Sequence, residues 1–234
     1  MQQVDLRTAT SSPDKRLKLI QYLQHPSPKM IEILDKYKEF GRNDLNRSDI
    51  IWHLLLQSFS TMGNSRGWDG LILNQGNYQR VTFDALSALN DEERLCRLTT
   101  VLHDAKVRRP NMKAKQLNEN YKMIIAIGGL ERAREMAFAQ VGTKAKIAFM
   151  KCFSGIGDKY ARNVWMDIYH PDFYDNIAID DRIKQITVAM GYRFATYLEH
   201  EQFFLGIAKE SNLQGWELDR LLYNFKEDVL KALS

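Results

Sequence analysis

Cysteine is scarce in this chain: Cys96 and Cys152 are the only two in 234 residues, far apart and outside any C-x-x-C pair. That excludes a disulfide framework, a thiolate zinc site and a four-cysteine iron–sulfur cluster, and leaves two reduced thiols. No apolar run approaches the roughly 18 residues that a membrane span needs, and the N-terminus lacks an apolar signal core. A cytoplasmic protein with no membrane partner is expected, nucleoid-associated in a bacterium or nuclear in a eukaryote. Charge of one sign is not in large excess. The 33 Lys and Arg against 29 Asp and Glu leave +4 and a pI near 8.9, which permits an anionic partner without demanding one. Internal repeats and low-complexity stretches are also missing, and strand-like alternation is scarce.

What is present is helical periodicity, over nearly the whole length. With 44% hydrophobic and 26% charged residues the chain has an ordinary globular composition. Residues 1–14, polar and holding Ser11, Ser12 and Pro13, read as a flexible arm ahead of a helical domain over 15–234. A helix is expected at 28–40, stopped by Gly41. Another is expected at 50–59, with Ser48 as its cap. Ile50, Ile51, Trp52, Leu54, Leu55 and Leu56 make this second helix apolar on nearly every side, as a core helix is. Residues 60–69 (STMGNSRGWD) then read as a loop set directly after the most buried helix. Further helices are expected at 91–106, 121–127, 130–140, 144–152, 158–168, 181–190, 200–210 and 215–232. The fold class is all-α, with two helical subdomains flanking a cleft.

Most of the chemical information lies in residues 143–184. An amphipathic helix runs into Phe153-Ser154-Gly155-Ile156-Gly157-Asp158-Lys159, and a second helix leaves at once with Ala161 in its first turn. Two glycines permit a tight turn and leave its amides uncovered. The new helix presents its free N–H groups and positive dipole end, a ready phosphate site that reads no base sequence. Ile156 can tuck between the helices, and small Ala161 lets them approach. Downstream, Ile177-Ala178-Ile179-Asp180-Asp181 is a short apolar lead ending in carboxylates. Asp180 sits at the edge of the next helix, where its plain role is an N-cap.

The first segment, over 147–168, resembles the helix-hairpin-helix of the DNA glycosylase superfamily, close to L-P-G-[VI]-G-x-K-x-A. Phe153 and Ser154 stand where Leu and Pro are usual. The second resembles that family's [VI]-x-[VI]-D-x-x-[VI] pattern, with Asp180 on the aspartate and Asp181 as rival one register step away. The likeness is to the branch of endonuclease III and 8-oxoguanine glycosylase, in a form without the iron–sulfur cluster. It implies base-excision repair of double-stranded DNA containing a damaged base, by a monomer and without a resident cofactor. A monovalent cation on the hairpin carbonyls is allowed. Lys159 falls at the position of the amine that attacks the sugar in lyase members, and Asp180 on the catalytic carboxylate. Ser154, Gly155, Ile156 and Gly157 would contact DNA, while Gln57 or Asn64 would fill the gap left by an extruded base.

Other readings stay open at this point. Lys159 can be a phosphate contact, with Asp180 activating water in a monofunctional glycosylase. The chain can be a non-catalytic helix-hairpin-helix DNA-binding protein, or an all-α interaction protein indifferent to DNA. Trp52, Trp68, Trp165, Trp216 and Tyr174 can stack on a base or line the core. Arg108, Arg109, Lys113 and Lys115 can follow DNA or form a solvated loop.

Overall fold

The apolar stretch at 50–59 forms the centre of one of two compact units. A computed structural model describes residues 13–63 and 66–234. In chain order its α-helices are α1 (Pro13–Gln24), α2 (Pro28–Leu45), α3 (Ile50–Thr61), α4 (Gln75–Gln79), α5 (Phe83–Ser87), α6 (Asp91–Asp104), α7 (Pro110–Ala126), α8 (Leu130–Phe138), α9 (Gly142–Lys151), α10 (Asp158–Asp167), α11 (Asp181–Ala189), α12 (Tyr197–Glu210), α13 (Gly215–Asn224) and α14 (Lys226–Ala232). A π-helical turn at Trp68–Ile72 and a 3-10 turn at Pro171–Phe173 complete the regular structure. Among the described residues there is no strand, so the all-α class holds. None of the described helices is long and apolar enough to cross a membrane.

One unit comprises Arg42–Trp165, and the other the described residues up to Gly41 with Met166–Ser234. In the first, α3 is enclosed as its sequence requires: Ile50, Ile51, Trp52, Leu54, Leu55, Leu56 and Phe59 are all fully buried. Burying each such side chain stabilises by about 1.5–3 kcal/mol relative to exposure. Trp52 keeps its polar end satisfied by donating Nε1–H to the Val81 carbonyl at 2.8 Å, with its ring edge-on to Phe83 and Tyr121. In the other unit, Leu19 and Leu23 of α1, Met30 of α2, Ile186 of α11, Phe204 and Ile207 of α12, and Trp216 and Leu221 of α13 form the core. Trp216 donates Nε1–H to the Met166 carbonyl at 2.6 Å.

Several boundaries differ from expectation, each for a local reason. Gly41 does not end α2, which runs on to Leu45. A Cβ at Gly41 would lie 2.8 Å from the Ile168 carbonyl carbon, so this glycine permits close backbone approach rather than a stop. Residues 110–120, expected outside the helix at 121–127, are its first turns: α7 begins at Pro110, whose fixed φ suits a helix start. The helix expected over 215–232 breaks at Phe225, with φ −115° and ψ 25°, although the apolar pattern passes through the break. α1 was not expected. It starts at Pro13, and residues 1–12 of the expected arm lie outside the described residues.

Candidate nucleic-acid interface and catalytic residues

The hairpin is built in the Arg42–Trp165 unit. α9 ends at Lys151, and Phe153 turns inward to full burial, edge-on to Phe149 at 5.8 Å. Ile156 is buried and donates its N–H to the Phe153 carbonyl at 3.1 Å. Ala161, fully buried, donates its N–H to the Gly157 carbonyl at 2.9 Å, which closes the first turn of α10.

The two glycines do different work. Gly155 has φ +83°, and a Cβ there would meet the Gln116 side chain and the Phe59 ring tip, each at 2.8 Å. It is required by the fold. Gly157 faces open space, with nothing within 4 Å of a Cβ built on it. Its freedom is required by nothing in the chain, and it leaves room for a group outside it.

Ser154 stands where the family pattern has proline, and the structure gives the reason. Its backbone N–H donates to Asn120 Oδ1 at 2.7 Å, and Asn120 Nδ2 donates back to the Ser154 carbonyl at 3.0 Å. Asn120 is almost fully buried, so its amide clamps the turn from within. A proline would remove the donor. Of the hairpin carbonyls, on which the resemblance allows a monovalent cation, that of Phe153 accepts from the Ile156 N–H and that of Ser154 from Asn120 Nδ2, and each keeps a second lone pair.

Lys159, in the first turn of α10, is exposed, with its Nζ 5.6 Å from the centroid of the Tyr160 ring. Its neighbour Asp158 pairs with Lys151 at 2.6 Å across the turn. The Lys151 ammonium holds the Asp158 carboxyl below the usual carboxylate range.

The carboxylates of 180 and 181 belong to the other unit. Asp180 caps α11: its Oδ1 accepts from the N–H groups of Arg182 at 2.9 Å and Ile183 at 3.0 Å. Oδ2 lies 3.4 Å from Arg182 Nη1. The cap therefore occupies one oxygen and leaves the other facing a cation, so capping and chemistry can share one carboxylate. Asp181 is different, with a side chain 91% exposed and 3.4 Å from Lys184 Nζ. Position and burial favour Asp180 over Asp181.

The lead into Asp180 is held by side chains rather than by a neighbouring strand. Ile177 N–H donates to Glu201 Oε1 at 3.4 Å, Ala178 N–H to Asp219 Oδ1 at 2.9 Å, and Ile179 N–H to the Tyr197 hydroxyl at 3.2 Å. That hydroxyl donates in turn to the Ile177 carbonyl at 3.0 Å. Burial pushes the Asp219 carboxyl up to about 6, against the pull of Arg220.

The structure corrects the expectation for Gln57. It is 4% exposed and lies in a chain of buried polar groups: its Nε2 donates to Asp44 Oδ2 at 3.0 Å and sits 2.7 Å from His53 Nε2. His53 Nδ1 lies 2.6 Å from the Tyr78 hydroxyl, which accepts from Arg47 at 2.9 Å. A side chain so committed is not available to fill a gap in a duplex. Asn64 lies outside the described residues. The segment leading to it is fixed from below by Lys113, expected on a basic stretch but in fact 3% exposed. Its Nζ donates to the carbonyls of Phe59 at 2.8 Å and Met62 at 2.7 Å. Burial, with Arg108 and Arg109 beside it, lowers Lys113 to about 8. Trp52, Trp165 and Trp216 are core, while Trp68 and Tyr174 are partly exposed. Cys96 and Cys152 are both exposed, and among the described residues no group of three or more His, Cys, Asp or Glu side chains is placed to hold a metal ion.

No protein-family model matches this chain, and no curated protein sequence matches it. Solved structures do. An 8-oxoguanine glycosylase/lyase of Methanocaldococcus jannaschii, crystallised with a 15mer DNA containing 8-oxoguanine, superposes with a TM-score of 0.66 at 20% identity, covering 88% of this chain and 95% of that one. A second structure of an 8-oxoguanine DNA glycosylase from that organism gives 0.65 at 18% identity over 90% and 92%. The 8-oxoguanine DNA glycosylase of Thermotoga maritima gives 0.62 at 16% identity over 90% and 94%. The chain is similar to these proteins over nearly all of its length, and it has the helix-hairpin-helix fold of 8-oxoguanine DNA glycosylases.

Proposed function

We propose that this protein is a base-excision-repair DNA glycosylase with lyase activity, acting on double-stranded DNA that contains an oxidised purine such as 8-oxoguanine. One observation carries the reading: a hairpin whose second glycine opens onto free space at a helix N-terminus, with an exposed lysine in the first turn beyond it. The shared fold supports it, since a protein of that fold was solved with DNA bearing 8-oxoguanine.

In this reading the hairpin amides grip a backbone phosphate, and the damaged base is extruded at a cost of a few kcal/mol. The amine of Lys159 attacks C1′ of the sugar and forms the C1′–Nζ bond. The C1′–N bond breaks, its electron pair leaves with the base, and the base takes up a proton. Ring opening gives a Schiff base between C1′ and Nζ. Loss of a C2′ proton then expels the 3′-phosphate by β-elimination. Asp180 stabilises positive charge on the sugar as the base departs and moves protons in the later steps.

Borohydride trapping on duplex DNA containing 8-oxoguanine tests the assignment. Lys159→Gln should abolish the covalent adduct and keep DNA affinity within about twofold, because the hairpin amides remain. Asp180→Asn should slow base release by about 10²-fold or more and leave binding intact. An adduct of undiminished yield in Lys159→Gln refutes the nucleophile. Base release without any adduct points to water activated by Asp180, and tight binding with no release from any lesion points to a DNA-binding module.

A further inference from the structure

Asp219 lies on the apolar face of α13 beside Trp216 and Leu222, and is 5% exposed. Such positions almost never hold a carboxylate without a specific reason, since burying a charge costs several kcal/mol before any pairing. Pairing explains it only in part. Arg220 reaches Asp219 Oδ2 at 3.3 Å but lies closer to Asp167, at 2.7 Å, and its Nε is buried without a hydrogen-bond partner. The other partner of Asp219 is the N–H of Ala178, and a neutral amide in place of the carboxylate would satisfy that donor equally well. The negative charge is therefore surplus to what the backbone needs. It stands against the segment that ends, two residues on, in Asp180.

We propose that Asp219 is a positioning residue for Asp180: it fixes the backbone that carries Asp180, and its ionisation sets the negative potential with which Asp180 stabilises positive charge on the sugar. This rests on the reading of Asp180 as the reaction's carboxylate. The groups that face Asp219 are Arg220 on its own helix, Asp167 on α10, and Asp180 at the start of α11. Tyr197 and Glu201 of α12 hold the adjoining backbone, and Arg182 borders Asp180. Burial is the largest cause of the upward shift to about 6. Arg220 and the Ala178 N–H oppose it, while Asp180 and Asp167 add to it. The coupling is reciprocal. Above pH 6 an anion at 219 makes the surroundings of Asp180 more negative, which favours a cationic transition state; below it the effect fades.

The experiment is single-turnover base release from duplex DNA containing 8-oxoguanine between pH 5 and 8, with the full chain. Wild type should accelerate about three- to tenfold through a midpoint near 6. Asp219→Asn, which keeps an acceptor for Ala178, should lose that step and stay near the low-pH rate with unchanged DNA affinity. Arg220→Gln should move the midpoint upward by about one pH unit, because the opposing cation is gone. If Asp219→Asn fails to fold, the Arg220→Gln shift carries the test. A carboxyl-carbon NMR titration reads the same coupling without substrate: the Asp180 resonance should sense a step near 6 in wild type and not in Asp219→Asn. A wild-type rate without the step, a step retained in Asp219→Asn, a midpoint unmoved in Arg220→Gln, or an Asp180 resonance blind to Asp219 each overturns the proposal. If Asp180→Asn releases base as fast as wild type, it is the reading of Asp180 that has failed. If Asp180→Asn is slow and Asp219→Asn keeps the step, only the inference about Asp219 has.

Discussion

Alanine at Gly155 and alanine at Gly157 should fail in opposite ways, although the two residues are separated by one position in the same turn. At Gly155 the backbone has φ +83°, a conformation that costs an L-residue about 1–2 kcal/mol. The new Cβ would also press on Gln116 and the Phe59 ring at 2.8 Å, and overpacking of this kind costs about 1–3 kcal/mol. Because the Gln116 side chain can give way more readily than the ring, the sum falls at roughly 2–4 kcal/mol, a fall in melting temperature of roughly 4–16 °C for a chain of this size. At Gly157 no atom lies within 4 Å of the added Cβ, so stability should hold within about 0.5 kcal/mol. The methyl group instead occupies the space through which a phosphate would approach the amides. Loss of one charge-assisted hydrogen bond should raise Kd about tenfold, and because a neutral amide releases no counterion the salt slope should stay unchanged. Thermal melts of both variants and filter retention of duplex DNA at two salt concentrations measure the four quantities. Gly157→Ala binding DNA as tightly as wild type would show that the open side of the turn is not where DNA is held.

Ser154→Pro restores the residue usual in the family pattern yet should destabilise by about 1–3 kcal/mol, because Asn120 Oδ1 loses its donor. In an Asn120→Ala background most of that cost should vanish, and additive urea midpoints would refute the clamp. Lys113→Met should cost about 1–3 kcal/mol at neutral pH by removing the donor to the Phe59 and Met62 carbonyls. Lys113 titrates at about 8 in the fold against 10.5 ordinarily, so between those values the unfolded chain holds a proton that the fold does not, and stability rises with pH. The stability difference between wild type and Lys113→Met should therefore widen from pH 8 to 10.5; a constant difference in urea melts would refute the assignment.

The helices were legible where one face is apolar and the other polar, and the hairpin where its glycines break that pattern. Boundaries leave no such mark where a residue's use is set by something distant in sequence. Gly41 looks like a stop because glycine usually is one, but here it lies mid-helix against the backbone at Ile168. Phe225 looks like one more core position in a continuing helix because its side chain is indeed buried, while its backbone leaves the helical region. Periodicity reports which way side chains point, and a break that preserves the facing of the apolar stripe leaves no trace in it.

The same limit explains the site. Lys159 and Asp180 stand out because each belongs to a local pattern, whereas Gln57, Lys113 and Asp219 act through atoms 13 to 54 positions away in the chain. A trace of the last two was nonetheless present. Asp219 interrupts the stripe of Trp216, Leu218 and Leu222, and Lys113 adjoins the stripe of Ala114, Leu117 and Tyr121. A charged residue placed among core positions has to find a partner or be lost, because the desolvation penalty admits no neutral outcome. In both cases backbone supplies a partner: the Ala178 N–H for Asp219, beside Arg220, and the carbonyls of Phe59 and Met62 for Lys113. The Ala178 N–H lies in the segment entering the helix that Asp180 caps, and the carbonyls of Phe59 and Met62 lie in the last turn and cap of the most buried helix. Charge buried against backbone at helix ends is how this fold fixes segments that helix packing alone leaves loose, and one of them carries Asp180, on which the proposed chemistry depends.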